Sequence, residues 1–269
     1  MKSAASLIFL LLVQFFCYSQ RSVNRFPFFS FNVKDTFDIF ISVPEHISAI
    51  NSSVYYLDAN LYSGKKLIHI LGEHADEYQH ALFIGISNRG RTKHEFRKRD
   101  YIPPVLRNGD TITTVKGRSN HYGHADLFYS FLTRELIPYI DSTYKTKGSR
   151  TLIGHSLGGL FVMYSLFKEN RQFDNFISLS PGLWVNKYNI FQYLRQLPDT
   201  TVLNNYLYLS SGKREIFNFI LAGNRRMRRT MMKLKFSGLK MEYAEHARKK
   251  HDTQVAVSLK YLFTRRIFK

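Results

Sequence analysis

The stretch Thr151-Leu152-Ile153-Gly154-His155-Ser156-Leu157-Gly158-Gly159 decides the reading of this chain. Thr151–Ile153 is an apolar strand end, Gly154–Gly158 is a Gly-x-Ser-x-Gly turn, and the apolar run from Leu160 to Phe167 reads as a helix. Strand, turn and helix together are the context of a nucleophile elbow. A turn that tight predicts a strained backbone at Ser156 and glycine at both 154 and 158. It lifts the serine hydroxyl clear of the sheet. It also leaves the Leu157 N–H, at the positive end of the helix, to stabilise an oxyanion.

Working outward, the chain of 269 residues fits one α/β domain, and a hydrophobic content of 44% with 15% aromatics supplies a sizeable core. Residues 1–19 read as a signal peptide: Lys2 precedes the apolar run Leu7–Val13, and Cys17-Tyr18-Ser19 places small residues before a cut at Gln20. The expected product is a single domain from 20 to 269 in a periplasmic or extracellular setting. It would lack Cys17, the one cysteine of the chain, and with it any disulfide or thiolate chemistry. The net charge of +19 favours anionic partners. No nucleic-acid motif is present. The cluster Arg225-Arg226-Met227-Arg228-Arg229, followed by Lys233 and Lys235, reads as a solvated helix face, with weak contact to an anionic membrane surface as the alternative.

Strands are expected at Phe37–Val43, Ser53–Leu57, Ala81–Ser87, Phe173–Leu179, Tyr206–Leu209 and Leu239–Ala244. Helices are expected at Lys65–Leu71, Leu127–Leu136 (closing near Pro138), Asn189–Leu197, Asn218–Phe236 and Thr253–Arg265. Residues 20–36 show little periodicity. The connection from Asn88 to Asn120 reads as a long structureless loop over the C-terminal strand ends. This alternation predicts a mostly parallel sheet with helices on both faces.

A serine nucleophile needs a base, and the base needs an orienting acid. When the serine sits on such an elbow, the acid and then the histidine follow it on loops after later strands. Glu215, in Gly212-Lys213-Arg214-Glu215, is the carboxylate after Tyr206–Leu209; otherwise it is a surface partner of Arg214 or Lys213. His251 is the preferred base and His246 the alternative, both lying between the last strand and the last helix. His155 is expected to pack beside the nucleophile. A second oxyanion donor is expected from the backbone of Ala59 or Asn60, after Leu57. Metal binding is not expected: His74, Asp76, Glu77 and His80 read as a solvated helix face, and His121 and His124 lack a third ligand at a telling distance.

Further stretches carry a resemblance. Val54–Asn60, Ile84–Thr92, Arg99–Pro103, and Glu135–Asp141 running on through the elbow to Leu179-Ser180-Pro181-Gly182-Leu183-Trp184 resemble signatures of the esterase family of α/β-hydrolases. That family includes siderophore trilactone esterases, esterase D-like S-formylglutathione hydrolases, and feruloyl and acetylxylan esterases. The Leu-Ser-Pro-x-Leu-Trp element and Asn88–Arg91 lean towards the siderophore branch. The resemblance implies the α/β-hydrolase fold, Ser156 as nucleophile, Leu157 and Ala59 as backbone oxyanion donors, and Gly212-x-x-Glu215 as the acid element. A Ser-His pair without the acid is the alternative that some members imply. Trp184 and Arg91 are expected to line the pocket; otherwise Trp184 is a core anchor and Arg91 an ion-pair partner of Asp100. The spacing to Phe263 leaves His251 and His246 both open. The expectation is an exported, cofactor-free serine hydrolase of a small, anionic carboxylic ester. The rivals are an acyl-sugar, feruloyl or acetyl esterase, and a non-catalytic binding protein on the same scaffold.

Overall fold

Seven apolar or alternating runs line up beside one antiparallel edge strand in a single sheet. In the computed structural model, which describes residues 21–44, 49–89, 94–107, 110–112 and 122–268, the sheet order is β1-β2-β4-β3-β7-β8-β9-β10. Its strands are β1 (Ser22–Ser30), β2 (Asp35–Val43), β3 (Ser52–Leu57), β4 (Ala81–Asn88), β7 (Ser149–His155), β8 (Asn175–Leu179), β9 (Tyr206–Gly212) and β10 (Lys240–His246). From β4 to β10 every pairing is parallel; β1 and β2 are antiparallel to their neighbours. The signal-peptide reading of residues 1–19 lies outside the described residues.

The central strands are buried on both faces because alternate side chains enter two cores. Tyr55, Leu82, Leu152 and Phe176 join one with helices α5 (Leu157–Leu166) and α8 (Asn218–Leu234). Val54, Phe83, Ile153 and Tyr208 join the other with α1 (Tyr62–Glu73) and α9 (Thr253–Thr264). The fold is thus the expected mostly parallel sheet with helices on both faces.

Three sequence expectations are corrected. The lead-in contains β1, an edge strand whose Phe26 and Phe28 turn inward to Tyr139 and Phe131 while Phe29 faces outward. Pro27 and the outward Phe29 blur its alternation. The helix expected to close near Pro138 continues to Tyr144: α3 (Ala125–Phe131) widens at Leu132–Leu136, where the Ile137 N–H reaches back to Leu132 O, and α4 (Ile137–Tyr144) begins with the proline in its first turn. The connection after β4 is not structureless. It holds α2 (His94–Tyr101) and a hairpin of β5 (Val105–Arg107) and β6 (Asp110–Ile112).

Ion pairs pin α2 in place. The buried Arg97 guanidinium grips Asp58, at the end of β3, through two bonds of 2.9 Å. Burial lowers the Arg97 pKa, but the Asp58 carboxylate outweighs this and the net shift is upward. Arg99 bridges Asp35, the first residue of β2, and the buried Asp100. Asp100 also accepts from Asn88 at 2.7 Å, at the end of β4. Arg91, expected in the pocket or against Asp100, lies outside the described residues.

Candidate active site

The position of Ser156 is set by backbone geometry. Ser156 has φ 60° and ψ −115°, a strained conformation for a non-glycine residue, between the end of β7 and the first turn of α5. A side chain at 154 would meet the Gly158 carbonyl at 2.3 Å, so that glycine is obligatory. Position 158 is a correction: a Cβ there would meet only ordinary contacts of 3.4–3.5 Å with Asp58 and Leu57. The tight turn needs one of its two flanking glycines for space. Leu157 opens α5, so its N–H points out of the helix start as expected.

Glu215 and His251 approach each other because two loops lie against one another. The Lys213 and Arg214 N–H groups donate to the His246 and Lys249 carbonyls, at 3.0 and 2.9 Å. Gly212 makes this possible: a Cβ there would stand 2.3 Å from Lys249 O. Glu215 then turns away from Lys213 and Arg214 and is buried. Its Oε2 meets His251 Nδ1 at 2.7 Å, and its Oε1 accepts from Ser180 Oγ at 2.5 Å and the Gly212 N–H at 2.9 Å. His155 holds the other side of His251: its Nε2 bonds the His251 carbonyl at 3.1 Å, and the two rings pack at 4.5 Å. Burial pushes the His155 pKa well down, with neighbouring His251 and Arg97 adding to it, so His155 is neutral.

His246 goes elsewhere. Its Nε2 bonds Ser258 Oγ at 2.8 Å, in a polar cluster with Ser210 and Gln254 between β9 and α9. Burial lowers its pKa as well, with Lys249 adding to the effect. Ala59 is likewise occupied: its N–H donates to Ile86 O at 3.1 Å, so the oxyanion place assigned to it is taken by a sheet-end bond. Asn60 is the remaining backbone candidate on that turn.

Ser156, Leu157 and His251 share a cleft of about 640 Å3. Its other walls are Glu95 and Lys98 of α2, Ile102 and Tyr122 beyond it, Gly182, Trp184, Val185 and Asn186, and Ile216, Phe217 and Ile220. Trp184 lines it as expected and is 42% exposed, which rules out the core-anchor reading. It precedes the one-turn element α6 (Val185–Tyr188), where Asn186, Lys187 and Tyr188 all have positive φ. The Tyr122 hydroxyl donates to Asn186 Oδ1 at 2.7 Å across the cleft.

Sequence reasoning missed Ser180, the Asp58–Arg97 clamp and the Tyr122–Asn186 bridge. Ser180 stood inside a quoted motif, directly after an apolar strand end, and that position was its signal. Nothing local marks the other pairs, because their partners are 39 and 64 residues apart.

Of the weighed metal ligands, His74 pairs with Glu77 at 2.8 Å and His80 bonds the Ala49 carbonyl, while His121 lies outside the described residues. His155, His251 and Asp252 do bring three ligand atoms within 4.8 Å. Within that group His155 Nε2 bonds the His251 carbonyl, and His251 Nδ1 bonds Glu215.

A family model described as "Putative esterase" matches residues 40–218, more than half of the chain. The chain belongs to this family. Membership places it among the carboxylic ester hydrolases, on the α/β-hydrolase scaffold the strand order describes. Ferri-bacillibactin esterase BesA of Bacillus subtilis is 29% identical over 197 residues, covering 68% of this chain and 68% of that protein. The siderophore enterobactin esterase of Emericella nidulans is 30% identical over 122 residues, covering 43% of this chain and 38% of the length of that relative. In fold, the chain is similar to the crystal structure of an IroE-like serine hydrolase from Shewanella oneidensis. That likeness has a TM-score of 0.77 at 22% identity and covers 92% of this chain and 80% of that one.

Proposed function

We propose that this chain is an exported serine esterase of siderophore-type esters that works through Ser156, His251 and Glu215. The observation that carries the mechanism is the 2.7 Å bond between His251 Nδ1 and a buried Glu215 carboxylate, with His251 and Ser156 lining one cleft. The carboxylate holds the imidazole in the tautomer whose Nε2 is free to accept a proton, and it stabilises the imidazolium that follows. His251 takes the Ser156 proton as the serine attacks the ester carbonyl. The developing oxyanion is met by the Leu157 N–H and a second amide from the Asn60 turn. His251 then protonates the leaving alcohol, and water activated by the same histidine clears the acyl-enzyme.

The substrate class rests on the two siderophore-acting relatives and on a strongly basic chain that favours an anionic ester. Export rests on the leader-like residues 1–19. Fluorophosphonate labelling of residues 20–269 tests the chemistry. The wild type should label; Ser156→Ala and His251→Ala should not; His246→Ala should label normally. A folded wild type that stays unlabelled overturns the serine mechanism, and loss of labelling only with His246→Ala moves the base. A panel of trilactone siderophores, acyl sugars, feruloyl esters and short-chain esters then tests the substrate class, which fails if trilactones are not among the turned-over compounds.

A further inference from the structure

The cleft has an apolar rim that the proposed chemistry does not use. Ile216 is 64% exposed, Phe217 52%, Trp184 42% and Phe219 38%. They form one patch: the Phe219 ring lies 5.0 Å from Trp184 and stacks at 4.9 Å on Phe217. A cluster of large exposed side chains marks a surface that meets something apolar.

Basic side chains frame this patch. Lys213 and Arg214, both exposed, directly precede it. On α8, Arg226, Arg229 and Lys233 lie seven, ten and fourteen residues after Phe219, and the helical repeat puts them along the same side. The Arg226 guanidinium rests 4.6 Å from the Phe191 ring centroid, which holds it next to the Trp184–Tyr188 segment. Arg225 and Arg228 fall on another side, where they engage Glu245 and the Tyr243 ring. No Asp or Glu interrupts α8. Among the described residues near the cleft, Glu95 and Asp252 are exposed acids, Asp252 beside His251 and His155, while Glu215 is turned inward to His251.

Apolar rings at the tip with cations behind them are the pattern of interfacial attachment: rings enter the headgroup boundary and cations meet anionic headgroups. A folded protein on this rim would seal the cleft. A fluid lipid surface would cover the same rings and still admit small amphiphilic molecules. We propose that the Ile216–Phe219 and Trp184 rim, backed by Lys213, Arg214, Arg226, Arg229 and Lys233, docks the protein on an anionic phospholipid surface with the cleft mouth facing the lipid.

Co-sedimentation with vesicles tests this, using the Ser156→Ala protein so that binding is read independently of turnover and of the esterase mechanism. The protein should pellet with phosphatidylglycerol vesicles but not with pure phosphatidylcholine vesicles, and half-molar salt should weaken the binding. Phe217→Ser with Phe219→Ser should reduce partitioning by about tenfold or more. Arg226→Glu with Arg229→Glu should reduce it by about fivefold or more for each charge. Absence of binding to phosphatidylglycerol vesicles at low salt overturns the proposal. So does binding unchanged by the serine pair, which would mean attraction by net charge alone, or unchanged by the glutamate pair. All four positions are at the surface, and circular dichroism of each variant confirms its fold.

Discussion

The floor and the rim of the cleft are built on opposite principles. On the floor each polar group is fixed by backbone geometry or by short hydrogen bonds: Ser156 by a strained elbow, His251 by Glu215 on one side and the His155 ring on the other, Glu215 by the Ser180 hydroxyl and the Gly212 amide. The rim side chains are held by apolar contacts between half-exposed rings and by the bond from Tyr122 to Asn186. Chemistry that moves a proton needs donors placed to fractions of an ångström, whereas recognition of a large ligand tolerates side chains that shift. Floor substitutions should therefore act on turnover, and rim substitutions on affinity.

The largest effect separates the two regions most sharply. Ser156→Ala should reduce kcat on a chromogenic ester by on the order of 10^6-fold, with KM little altered. Glu215→Gln leaves the imidazole without its charged partner and should cost on the order of 10^4-fold in kcat. His246→Ala should stay within about threefold, because its ring bonds Ser258 behind the sheet. Steady-state kinetics on an activated ester checks all three. A Glu215→Gln enzyme of near-normal kcat would mean that Ser156 and His251 work as a pair.

Stability of the floor depends on the clamp beneath it. Asp58→Asn leaves the Arg97 cation buried without its carboxylate, and urea unfolding should show a loss of about 3 kcal/mol or more. Asp58→Leu combined with Arg97→Met removes both charges and should recover much of that loss.

The parts of the molecule legible in sequence are those with local signals. Continuous apolar runs gave the parallel strands, and Gly154, Ser156 and the flanking strand and helix gave the elbow. Glu215 could be picked out because it follows a glycine at a strand end, in the order that this kind of turn imposes. His251 and His246 could not be separated, since both follow β10 and only the packing of Lys213 and Arg214 on that loop decides which ring meets Glu215. The β1 strand was hidden because an edge strand exposes side chains that a buried strand would not. Arg97 looked like one basic residue in a basic loop. Its partner Asp58 lies after another strand, and pairing across the sheet has no period in sequence.

A smaller effect tests whether the floor is tied together through His155. Its folded-state pKa lies well below the ordinary value, so below pH ~6.5 the unfolded chain binds a proton that the folded chain refuses. Stability should rise with pH up to about 6.5 and level off above it, with each refused proton contributing a slope of up to about 1.4 kcal/mol per pH unit. His246, also shifted down, adds in the same direction. Urea midpoints from pH 5 to 8 should therefore slope less in His155→Asn than in wild type, and less again in His155→Asn with His246→Asn. A slope unchanged in the single variant would mean that His155 is protonated in the folded protein.

The smallest predicted effect returns to the rim. Trp184 touches Phe219 and lines the cleft, whereas the bonds to His251 and Glu215 come from other residues. Trp184→Ala removes apolar wall without disturbing the proton path, so KM for a bulky ester should rise about three- to tenfold while kcat stays within about twofold. Ser180→Ala is the matched floor substitution. It removes one oxygen atom but takes away a donor to Glu215, so kcat should fall with KM nearly unchanged. If Trp184→Ala lowers kcat as Ser180→Ala does, the rim shares in positioning the reacting ester, and the division between a rigid floor and an adaptable rim fails at that residue.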